Sequence, residues 1–87
     1  AIEIDPNFAS YFFNRGVLKY EYLEDFNGAM ADFTKAIEID PNDADFYHHR
    51  AICKEGVGDL RGACADWRKA ADLGHQDAAE WVRDDCN

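Results

Sequence analysis

Eighty-seven residues leave room for one small domain, and an apolar content of 47% with six Phe, four Tyr and two Trp is too high for a disordered chain. No apolar run approaches the roughly 18 residues of a membrane span. Eighteen Asp and Glu against nine Lys and Arg give a net charge of −9, which repels nucleic-acid phosphates and anionic lipid, so neither is expected as a partner and a basic protein is favoured over an acidic one.

Three cysteines, Cys53, Cys64 and Cys86, are too few and too irregularly spaced for a disulfide framework, and none forms a C-x-x-C pair. Free buried thiols are the expectation. If one bridge forms, Cys64 with Cys86 is the first candidate, because the second helix of the last hairpin should lie beside the closing helix. The sequence shows no charged-then-apolar leader, although an opening in mid-repeat leaves room for one upstream, and the expected compartment is the cytoplasm.

In chain order, the opening heptapeptide Ala-Ile-Glu-Ile-Asp-Pro-Asn, residues 1–7, returns whole at residues 36–42. An internal repeat of this period points to a solenoid whose units bury their apolar faces only against neighbours. The second copy can be read in context. Ala29, Phe33, Ala36 and Ile37 fall at i, i+4, i+7 and i+8, one stripe of a helix, so the heptapeptide is a helix's last turn. Pro41 cannot continue that helix, and Asn42 or Asp43 can cap the next.

Residues 1–7 then read as the end of a truncated preceding repeat, with Ile2 and Ile4 lacking part of their cover. A first unit, 8–43, pairs an aromatic-rich helix from about Ala9 (Tyr11, Phe12, Phe13, Gly16, Tyr20) with a second through Ala29, Phe33 and Ala36, across a turn near Leu23 to Asn27. A second unit, 44–77, repeats this with Phe46, Tyr47, Ala51 and Ile52, a Gly58-Asp59 turn, then Ala63, Trp67 and Ala70, and Gly74 ends it. Small residues (Gly16, Ala51, Ala29, Ala63, Ala36, Ala70) mark close helix crossings, and Phe33 and Trp67 fill the space between them. Residues 78–87 close the chain as a capping helix starting near Gln76. Its polar face of Glu80, Arg83, Asp84 and Asp85 does not accept a further helix.

These residues carry a resemblance. Phe12, Gly16, Ala29, Phe33, Ala36 and Pro41, and then Tyr47, Ala51, Ala63, Trp67 and Ala70, fill in order the places that mark the tetratricopeptide repeat family, whose units of about 34 residues are antiparallel helix pairs. The chain departs from the pattern by one extra residue between Val17 and Phe26 and by His75 where a proline would stand. The resemblance implies an all-α solenoid of two helical hairpins plus a capping helix.

Arg15 and Arg50 take a place where that family commonly has Leu, and Asp32 and Asp66 follow 17 and 16 residues later. On a helical hairpin this spacing brings each pair across the seam, which predicts an Arg–carboxylate bond in both units with the arginine stems on the core.

His49 and Cys53, at i and i+4, could supply two metal ligands at most, and His48 and His75 add no pair at zinc-site spacing. A helix interior gives a cysteine nucleophile neither an oxyanion hole nor a base, and Gly56 and Gly58 sit in a short turn rather than a phosphate loop. No enzyme, metal or cofactor is expected.

The resemblance implies a protein-interaction scaffold whose first helices line a concave groove for a peptide segment. Carried over by position, the groove residues are Ser10, Phe13, Val17 and Tyr20 in the first unit and Asp45, His48, His49, Ile52 and Glu55 in the second. They are apolar with an acidic edge, suiting a protein or peptide with apolar and basic residues. Family members that clamp a carboxylate tail use Lys and Asn at two first-unit places occupied here by Phe13 and Val17, so that ligand class is not expected. The rival reading is a structural module that self-associates through its uncapped amino-terminal end, with no dedicated peptide.

Overall fold

A computed structural model describes residues 6–86, and Ile2 and Ile4, expected to lack cover, lie outside them. Five helices follow one another: α1 (Pro6–Tyr22), α2 (Phe26–Ile39), α3 (Ala44–Gly56), α4 (Leu60–Asp72) and α5 (Gln76–Asp85). No strand occurs among the described residues. Each helix packs chiefly on its sequence neighbours, and α1 also touches α3. The result is a row of antiparallel hairpins, with α1, α3 and the start of α5 meeting along one side.

Local chemistry sets the ends of these helices. Asp25 and Asp59 occupy the same place in the two hairpins, and the Oδ1 of each accepts an N-terminal backbone N–H, from Gly28 and Gly62 respectively, at 2.9 Å. A Cβ at either glycine would press on the capping carboxylate in its present rotamer, so a larger residue there would require the aspartate to turn. α1 begins at Pro6, earlier than the expected Ala9. Phe8 stands where the second unit has the capping Asp43, and the helix instead runs back to a proline at its first position, where the missing N–H has no intrahelical partner to lose. The first turn is shorter than expected, because α2 starts at Phe26 rather than after Asn27.

The small-large alternation works as a crossing device. Ala29, Ala36, Ala51, Ala63 and Ala70 are fully buried, as are Phe33 and Trp67. A Cβ on Gly16 would meet the Phe33 ring at 2.7 Å, so α1 approaches α2 at a distance only glycine allows. Each of the two large side chains contributes on the order of 3 kcal/mol of burial. Around them sit Ala29, Phe33 and Cys53 at the first hairpin, and Tyr47, Ala51, Ala63, Trp67 and Ala78 at the second.

Both expected seam bonds are present and bidentate. Arg15 donates to Asp32 at 2.9 and 2.7 Å, and Arg50 to Asp66 at 2.7 Å twice. Each carboxylate, nearly buried, also takes a lysine: Lys19 at 3.2 Å from Asp32 and Lys54 at 3.0 Å from Asp66. The Arg15 hydrogen bonds hold the Asp32 carboxyl below the usual range despite its burial. Arg50 also donates to Thr34 at 3.2 Å, so one guanidinium ties α2, α3 and α4 together.

α5 packs on α4, with Ala78 fully buried and the Trp67 and Trp81 rings 4.9 Å apart. Cys64 and Cys86 form a disulfide between α4 and the end of α5, Cα atoms 5.7 Å apart. The general expectation of free thiols therefore holds for Cys53 alone, which is buried. The other two pair as the named candidate, because packing Ala78 and Trp81 on α4 brings residue 86 back to residue 64.

Candidate functional site

The seam bonds and the alanine crossings fix α1 and α3 side by side, and what they present together is a run of rings. Phe13 lies 5.1 Å from Phe46 and 4.9 Å from His49, the latter edge-on at 84°. Tyr20 reaches His49 at 6.2 Å. His49 adjoins His48 at 5.5 Å, and His48 stacks on His75 at 4.4 Å with the planes 20° apart. The run crosses three elements: α1, α3 and the residue that starts α5.

Hydrogen bonds orient the imidazoles. His49 Nδ1 donates to the Asp45 carbonyl at 2.9 Å. His75 is the N-cap of α5: its Nδ1 accepts from the Ala78 N–H at 3.1 Å, so the ring's proton sits on Nε2, 3.4 Å from Asp45 Oδ1. His48 Nδ1 is buried without a hydrogen-bond partner among the described residues. Burial, followed by the neighbouring His75 and His49, lowers the His48 pKa from its ordinary value, so neutral imidazole is favoured there.

Of the residues carried over from the resemblance, Phe13, Tyr20, His48 and His49 come together in this run, and Asp45 stands exposed at its edge beside His75. Phe13, Val17 and Tyr20 are half-buried and also pack on the Ala29, Phe33 and Cys53 cluster, so they belong to the core as much as to the face. Ile52 is half-buried, Ser10 and Glu55 are exposed, and all three stand outside the run of ring contacts. The sequence reading missed His75, which it treated as a turn residue in a proline's place. The only signal available was a nitrogen acceptor three residues before Ala78 at a helix start.

Cys53 is poorly suited to chemistry, since burial pushes its thiol up to about 11. Among the described residues no group of three or more His, Cys, Asp and Glu could hold a metal ion. No helix among them is long and apolar enough to cross a membrane.

The tetratricopeptide repeat family model matches residues 33–65, from the middle of α2 through α3 into α4. No curated protein matches the chain. The matched stretch contains Thr34 and Arg50 of the inter-hairpin junction and stops one residue short of Asp66. Residues 33–65 are thus similar to a tetratricopeptide repeat, a module that generally serves protein–protein interaction, and the helices around them form an all-α fold consistent with a helical repeat of that kind.

Proposed function

We propose that the protein is a non-enzymatic binding module whose α1–α3–α5 face holds a peptide segment combining apolar anchors with Lys or Arg. The observation that carries this reading is the run of half-buried rings from Tyr20 through Phe13, His49 and His48 to His75, edged by Asp45. Rings offer broad, stiff contact area at little entropic cost, and the net charge of −9 draws a basic segment towards the face. Ser10, Val17, Ile52 and Glu55 extend the same face in this reading. Apolar area contributes roughly 25 cal/mol per Å2 before the cost of ordering the peptide, which puts unaided affinity in the micromolar range.

Peptide arrays followed by fluorescence anisotropy test it. Asp45→Lys is expected to weaken a basic peptide most at low salt, because rim charges act mainly on encounter rate. Selection of acidic sequences would refute the reading.

One observation favours self-association as a second reading. On α1, Phe8, Tyr11, Leu18 and Tyr22 are 58%, 54%, 54% and 75% exposed, at a spacing of three, seven and four residues that sets them on one side of the helix. Sedimentation across a concentration range separates the two readings. The disulfide favours an oxidising compartment over the cytoplasm expected from the sequence, because cytosolic thiols reduce such bonds.

A further inference from the structure

A cavity of about 400 Å3 lies between α4 and the end of α5, lined by Leu60, Arg61, Cys64, Arg68, Asp85 and Cys86. The disulfide forms part of its wall. Two of the chain's nine basic residues stand here against a single lining carboxylate, Asp85, in a molecule whose net charge is −9. Arg68 Nη2 donates to the Cys86 carbonyl at 3.1 Å, which keeps its charge beside that cysteine. The two cysteines are not equally exposed: Cys64 is only 6% exposed, whereas Cys86, at the end of α5, is half-buried. A disulfide in the wall of a cavity that two arginines also line has the parts of a reaction site: a bond that can be opened, one cysteine more exposed than the other, and positive charge for an anion.

We propose that this cavity is a thiol–disulfide exchange site for a small anionic thiol. The thiol's carboxylate pairs with Arg61 or Arg68, and its thiolate attacks Cys86 Sγ. A new S–S bond forms to Cys86, the Cys64–Cys86 bond breaks, and the electron pair leaves on Cys64 as a thiolate facing the same arginines. A second thiolate attacks the small-molecule sulfur of the mixed disulfide and releases Cys86 as a thiolate. In total, two thiols become one small disulfide while the protein bond takes up two electrons and, on protonation, two protons. The reverse sequence, driven by the small disulfide, closes the bond again. The exchange is stoichiometric in the protein, and its direct consequence is to release the end of α5 from α4.

The test uses the whole chain with three probes of similar size: thioglycolate, 2-mercaptoethanol and cysteamine, which are anionic, neutral and cationic. Opening is followed by trapping freed thiols and counting them by mass, with rates corrected for each probe's thiolate fraction and basicity. At low ionic strength thioglycolate is expected to react about tenfold faster than cysteamine, with mercaptoethanol between them. High salt should erase the order, and Arg61→Glu with Arg68→Glu should invert it. Corrected rates that ignore probe charge, or an order that survives both high salt and the double substitution, would overturn the proposal. Should the double variant fail to fold by circular dichroism, the salt dependence of the unaltered chain decides alone.

Discussion

Arg50 meets Asp66 in a fork of two 2.7 Å hydrogen bonds across the α3–α4 seam, and the same guanidinium reaches back to Thr34 on α2. The bond therefore joins the two hairpins as well as closing the second. Asp66→Ala removes the acceptor shared by Arg50 and Lys54, which are only 18% and 23% exposed and must then find water. A loss of about 2 kcal/mol is expected, read as a lower urea midpoint at unchanged slope. An unchanged midpoint would mean that the seam is held by packing alone.

The two hairpin turns differ at one informative place. Gly58 takes φ +88° in the second, and Glu24 takes φ +52° at the equivalent position in the first. A left-handed conformation strains a residue with a Cβ, so Glu24→Gly is expected to stabilise the protein by about 0.5–1 kcal/mol even though it removes a side chain. Thermal unfolding measures it, and a lower melting temperature would refute the assignment of strain.

At the crossings the packing leaves no room. Ala29 and Ala63 have no exposed surface, and Leu at either should overpack the helix pair at a cost of about 1–3 kcal/mol. Lys35→Leu, on an exposed side of α2, should cost little by the same denaturant measurement.

Much of this was legible in the sequence because it is local and periodic. The returned heptapeptide gave the period, the i, i+4, i+7 stripe gave the helices, and a 16- or 17-residue offset across a hairpin was enough to pair Arg15 with Asp32 and Arg50 with Asp66. Lys19 and Lys54, each four residues after its arginine, share the helix face and could have been added by the same rule. The His48–His75 stack was not legible, since it depends on the angle at which α5 folds back. The same angle turned Cys64 and Cys86 from default free thiols into a bonded pair. Phe13 was read as a groove residue, but its ring is shared between the face and the Phe33 and Phe46 packing.

That stack carries a pH dependence. His48 has its pKa lowered in the folded state, with His75, His49, Asp45 and Asp77 as the charged or titratable groups around it. A depressed histidine contributes stability that is fully present above its unfolded pKa, near 6.5, and is lost as pH falls through the lower folded value. The melting temperature is expected to fall between about pH 7 and pH 5, well above the range in which Asp32 titrates, and His48→Phe should flatten that decline. A flat profile in the unaltered chain would contradict it.

The binding reading rests on the ring-lined face, and the most direct measurement is a chemical-shift map of the isotope-labelled protein titrated with a peptide of alternating aromatic and Lys residues. The account predicts saturable shifts concentrated at Tyr20, Asp45, His48, His49 and Ile52, with Lys35 on α2 unmoved. Shifts confined to α2 and α4, or to the Phe8, Tyr11 and Leu18 side of α1, would contradict it and move the working surface elsewhere.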